Sequence, residues 1–154
     1  GAGFVWALLL LWGAAKFVTL LVFTLMPTIM VAFLGPGLVL AVMVLRVALR
    51  RLGDDGMLAG GALHGPAEVD QKVLQNTVEQ LVLALCIWPA AAVMLGDEGP
   101  GVIATLGVGF AVARLLFWLG YHRGGPLRVF GFAASFWPTV LVALWALARL
   151  AGAG

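Results

Sequence analysis

Two groups of polar residues interrupt otherwise apolar sequence, and their types and spacing suit chemistry. Lys72, Asn76 and Glu79 follow i, i+4, i+7 spacing, which sets a cation, an amide and a carboxylate on one helical face, with Gln75 and Gln80 flanking it. Arg114, Tyr121 and Arg128 recur every seven residues, and His122 and Arg123 stand beside the tyrosine. An arginine as deep in an apolar run as Arg114 is costly without compensation, and Glu79 is the carboxylate available for it. Two readings fit these residues: a structural ion-pair network, or a polar pocket that binds an anion. In such a pocket Arg123, Arg128 and Lys72 would clamp carboxylates, Asn76 would orient an amide and Tyr121 would donate a hydrogen bond, so a peptide-like anion fits the donors. If that ligand carries a thiol, nearby arginine favours the thiolate, a nucleophile able to attack an electrophile dissolved in a bilayer. A donor close to the developing charge would help further.

Other candidates carry less. Cys86 is the only cysteine, which excludes an intrachain disulfide and a cysteine-cluster metal site, and its apolar surroundings point to packing. His64 and His122 lack the Cys, His and carboxylate grouping that a metal centre needs, so no metal is expected. Asp54-Asp55 and Asp97-Glu98 read as solvated loop charges, because acid/base dyads need converging geometry that adjacent loop residues do not establish. Ser135 has no evident base, and no glycine motif suited to cradling phosphate is present.

The elements that must position these residues follow from composition. Of 154 residues, 63% are hydrophobic and 10% charged, with a mean hydropathy of +1.09. A charge complement of 9 Lys+Arg and 7 Asp+Glu cannot dress the surface of a soluble domain of this length. The long apolar runs satisfy their backbone groups in lipid only as helices, since a barrel would show short alternating segments. Five spans are expected: Phe4 to Met26, Thr28 to Arg50, Val73 to Leu95, Gly101 to Gly120 and Leu127 to Leu150. Gly1 to Met26 lacks the basic stretch and cleavage pattern of a signal peptide and reads as a retained span. Its one charge, Lys16, snorkels or faces the bundle interior.

Pro27 marks a break, and Gly35-Pro36-Gly37 implies either a kink in the second span or a helix that starts at Pro36. Residues 51–70 form the longest polar loop, with the third helix beginning near Glu68. Asp97 to Pro100 makes a tight acidic turn, and Tyr121 to Pro126 a basic loop. Gly107 and Gly109 allow close helix contact, while Pro89 and Pro138 bend their helices without ending them. The six tryptophans are interfacial anchors or bundle packing.

Arg46, Arg50, Arg51 and Lys72 surround one connection and Arg123 and Arg128 another on the same side, which makes that side cytoplasmic. Asp97-Glu98 lies opposite, with Arg149 as a basic exception. The formal charge of +2 is spread over helix ends with no basic stripe, so no nucleic-acid partner is expected. A transporter is disfavoured by the few spans and the absence of an inverted repeat.

The segments QKVLQNTVEQ and ARLLFWLGYHRGGPLR resemble the MAPEG family, membrane-associated proteins of eicosanoid and glutathione metabolism, over roughly Val39 to Leu150. The resemblance implies an all-α integral membrane bundle, in which residues 28–154 form a four-helix unit and residues 1–27 an additional N-terminal span. It implies a homotrimer with glutathione as cosubstrate at subunit interfaces. It assigns Arg128 to stabilising the glutathione thiolate and Arg114 to organising the polar site or serving as second activator. Lys72, Asn76, Glu79, Tyr121 and Arg123 become glutathione contacts. Lys72 stands where the family usually has arginine, so a planar two-pronged donor is lost while charge is kept. The implied activity is a glutathione-dependent transferase or peroxidase in the cell inner membrane. It would act from the cytoplasmic side on a lipophilic electrophile or hydroperoxide. The rival is a noncatalytic oligomeric membrane protein whose arginines only stabilise contacts.

Overall fold

The computed structural model describes residues 1–17, 25–123 and 126–153, and every long element among them is a helix. These are α1 (Ala2–Phe17), α2 (Leu25–Ala32), α3 (Leu34–Leu52), α4 (Asp55–Leu58), α5 (Pro66–Met94), α6 (Gly99–Arg123) and α7 (Pro126–Ala153). Four stretches are long and apolar enough to cross a membrane: Leu25–Leu52, Pro66–Met94, Gly96–Arg123 and Pro126–Gly152. The protein is thus an all-α, multi-pass membrane protein. Among the described residues α1 is apolar but shorter, at 16 residues. The expected first span ending at Met26 is corrected, because Met26 belongs to α2. Residues 18–24 of that span, and the side chain of Lys16, lie outside the described residues.

Prolines account for most of the boundaries. Pro36 falls in the first turn of α3, where the missing N–H would have had no helical acceptor anyway, and Pro27 lies within α2. The break falls at Phe33, with the helix resuming at Leu34, two residues ahead of Pro36. The expected twenty-residue loop is shorter, since it holds α4 and ends where Pro66 opens α5 behind Gly65, whose φ is +60°. Pro89 and Pro138 lie inside α5 and α7 without ending them. α6 runs on to Arg123, so Tyr121, His122 and Arg123 occupy its last turn and are not in a loop. That turn is held by His122 bonding across to α5 and by Gly120, where a Cβ would strike the Arg128 backbone.

The core sits between α1, α2, α5, α6 and α7 around Trp88, Leu106, Phe110 and Val142. Trp88 stacks on Phe33 at 5.3 Å and donates its indole N–H to Thr139 Oγ1 at 3.0 Å. It is a packed residue and not an interfacial anchor, whereas Trp12 is exposed. Gly107 brings α6 against α2 so closely that a Cβ would fall on the Ala32 carbonyl oxygen, while one on Gly109 would meet only the Leu10 side chain, at 3.0 Å. Most outward positions are apolar, including Leu45, Val82, Leu85, Val108 and Leu144, as a lipid-facing surface requires. Cys86 is among the exposed residues, contrary to the expectation that it packs. At the end of the bundle that holds the acidic turn, Arg149 donates to Glu98 and to the Leu95 carbonyl, which gives the basic exception on that side a partner.

Candidate functional site

The N-terminal half of α5, the last turns of α6 and the first turns of α7 meet at the other end of the bundle. Gly131 makes the meeting close, since a Cβ there would lie 2.5 Å from Phe117 Cα. Between α5 and α6 an open cavity of about 420 Å³ is lined by Gln71, Lys72, Gln75, Asn76, Glu79, Phe117 and Tyr121. Lys72, Asn76 and Glu79, on one face by their helical spacing, line this cavity together with Tyr121 from α6. Lys72 pairs with Glu68 at 3.4 Å, an exposed contact of little energetic weight. Glu79 makes no side-chain hydrogen bond or ion pair with any described residue. Tyr121 packs edge-on against Phe117 at 5.4 Å, and the Arg128 guanidinium carbon stands 5.2 Å from the Tyr121 ring centre, a cation–π contact. Arg128 is exposed there, as is Arg123 in the last turn of α6, and neither lines the cavity.

Arg114 lies behind that wall and is fully buried. Its Nη1 donates to Asn76 Oδ1 at 2.6 Å and to Thr77 Oγ1 at 3.4 Å. Its Nη2 donates to Ser135 Oγ at 2.6 Å and to the Gly131 carbonyl at 3.4 Å. The Phe117 ring covers the guanidinium at 4.2 Å. The expected carboxylate partner, Glu79, is not used among the described residues. Four neutral oxygens and an aromatic face replace it, joining α5, α6 and α7 through charge-assisted hydrogen bonds. One consequence reaches the cavity: with Oδ1 committed to Arg114, Asn76 is held in a single orientation that leaves its NH₂ donors for a ligand. Ser135 has no evident base in the sequence, yet it serves as an acceptor for Arg114. The available signal was Gly131, Ser135 and Thr139 at i, i+4, i+8, one polar ridge on an apolar helix.

A second polar cluster was not visible as such in sequence. Asp70, only 1% exposed, accepts from Trp118 Nε1 at 2.7 Å and from His122 Nε2 at 2.6 Å on Oδ1. Its Oδ2 accepts from Arg50 Nε at 3.1 Å, with Arg46 Nε at 3.9 Å. One carboxylate thereby ties together the ends of α3, α5 and α6. The signal it left is two i, i+4 polar pairs, Arg46/Arg50 and Trp118/His122, at matching helix ends.

A search of the curated proteins and one of the solved structures found no match to the chain. The model of the MAPEG family matches residues 21–148, a stretch that begins after α1 and contains the whole of both clusters. With most of its length matched, and with four long membrane-spanning helices carrying the polar residues, the chain belongs to the MAPEG family.

Proposed function

We propose that the protein is a membrane glutathione-dependent transferase or peroxidase acting on a lipophilic electrophile or hydroperoxide. The observation that carries the reading is the cavity in which Lys72, Asn76, Glu79 and Tyr121 converge, with Arg128 over the tyrosine. Lys72 supplies charge for a glutathione carboxylate, the fixed Asn76 amide donates to its backbone, and Glu79 accepts from its ammonium group. Arg128, helped by Arg123 and the Tyr121 hydroxyl, stabilises the thiolate, which attacks the electrophile or reduces the hydroperoxide. Arg114 organises the site by holding Asn76. α1, outside the matched residues, is an addition to the four-span unit.

Glu79 also supports assembly as a homotrimer. It lies 13 residues into α5, roughly 20 Å along the helix, and is exposed together with Gln75. A carboxylate facing lipid at that depth costs about 2.5–3.5 kcal/mol, a penalty removed when a neighbouring copy covers this face and brings an arginine to it. The cavity then lies at a subunit interface, on the cytoplasmic side of the cell inner membrane.

The test is glutathione binding by the purified protein, with the thiolate followed by its ultraviolet absorbance. The parent is expected to bind and to form thiolate, and Arg128→Ala to lose the thiolate while keeping its oligomeric state. A parent that neither binds glutathione nor alters its thiol titration overturns the assignment. The rival, a noncatalytic membrane assembly, draws support from Arg114, whose protein contacts fasten three helices.

A further inference from the structure

We infer that the cleft around Arg46 and Arg50 is a binding site for the headgroup phosphate of an anionic phospholipid. The cleft, about 380 Å³, lies between α3 and α6 and shares no lining residue with the Lys72–Tyr121 cavity. Its walls are of two kinds. Arg46, Arg50 and His122 are polar, whereas Leu115, Trp118 and Leu119 present apolar surface. A second cavity of about 420 Å³ lies against the same two arginines but is bounded by the connecting loop, including Gly53, Asp54 and His64. The guanidinium groups thus stand on the divide between an apolar cleft and a polar loop, which is where a phospholipid carries its phosphate.

The donor arithmetic points the same way. Arg46 is 48% exposed and approaches Asp70 only to 3.9 Å, so none of its N–H groups is hydrogen-bonded to a described residue. Arg50 uses Nε for Asp70, leaving both of its terminal NH₂ groups. Asp70 is the carboxylate within the cleft, and its Oδ1 is already shared by Trp118 and His122. It orients Arg50 without engaging Arg46 in a hydrogen bond, and the other carboxylate beside these arginines, Asp54 on the loop side, is bonded to His64 at 3.2 Å. Two guanidinium groups four residues apart on a helix form a fork for a tetrahedral oxyanion. A soluble anion would satisfy the fork but leave the Leu115 and Leu119 wall uncovered. An anionic lipid satisfies both, and the basic loop ends place this face at the leaflet where such lipids concentrate.

The experiment is native mass spectrometry of the full chain in its oligomeric state, delipidated in neutral detergent. Phosphatidylglycerol and phosphatidylcholine of identical acyl chains are titrated against the parent, Arg46→Gln and Arg149→Gln. The parent is expected to retain phosphatidylglycerol in preference. Arg46→Gln, which breaks no hydrogen bond between described residues, should weaken that retention about five- to tenfold. Arg149→Gln, at the opposite end, should leave it unchanged. The inference is overturned if the two lipids are retained equally, or if Arg46→Gln has no effect or no more effect than Arg149→Gln. Displacement of the lipid by millimolar glycerol 3-phosphate overturns it in favour of a soluble-anion site.

Discussion

Replacing Asp70 probes the joint between α3, α5 and α6 and can be worked through bond by bond. In Asp70→Ala the indole N–H of Trp118, bonded at 2.7 Å, loses its acceptor in a part-buried position, a cost of about 1–2 kcal/mol. Arg50 and His122 are 29% and 33% exposed, so each finds water and loses no more than about 1 kcal/mol after solvent screening. The total is about 1–4 kcal/mol. Asp70→Asn keeps one oxygen for Trp118 and His122 and puts an NH₂ against Arg50 and the more distant Arg46, both of which can turn to solvent, so about 1 kcal/mol is expected. Unfolding in mixed micelles at fixed protomer concentration, followed by far-ultraviolet circular dichroism, measures both. A double-mutant cycle with Trp118→Phe isolates the indole bond, with a coupling of about 1 kcal/mol or more expected. Equal losses for Ala and Asn, or additivity within about 0.5 kcal/mol, would refute the claim that a hydrogen-bonded carboxylate holds this joint.

Ser135→Ala should destabilise by about 1.5–3 kcal/mol, because Arg114 Nη2 then keeps only the 3.4 Å bond to the Gly131 carbonyl; the same unfolding assay reads it, and a loss below about 0.5 kcal/mol would count against the Arg114 network. Gly107→Ala should cost about 1–3 kcal/mol, since its Cβ meets a backbone carbonyl, whereas Gly109→Ala meets a movable leucine and should cost under about 0.5 kcal/mol. Similar losses at the two glycines would contradict the close α2–α6 approach. In a Cys86→Ser background, cysteines introduced at Gly61 and Asp97 should label with an impermeant maleimide from opposite sides of the membrane. Labelling from one side only would break the topology.

Much of this arrangement was legible because lipid makes polar residues rare. The Lys72, Asn76, Glu79 face and the Arg114 to Arg128 series stood out against apolar sequence. Helix ends were less legible where tertiary contacts decide them. The last turn of α6 looks like a basic loop until His122 finds Asp70, and Pro27 looks like a terminator, yet it lies within α2. Hydrogen-bond partners were least legible. A carboxylate is the obvious partner for a buried arginine, but Ser135 and Gly131 become available only once α7 lies against α6, a fact that no local pattern contains. Asp70 was hidden for the same reason, since its four partners come from two other helices.

Glu79 and Arg114 never touch. Asn76, one helical turn from Glu79, holds the Arg114 guanidinium at 2.6 Å, so a neutral amide stands where a salt bridge was expected. Glu79 makes no ion pair with a described residue, and no such bond has to break when a ligand arrives. The cavity wall is thereby divided into a movable acceptor, Glu79, and a rigid donor, the Asn76 amide beside it.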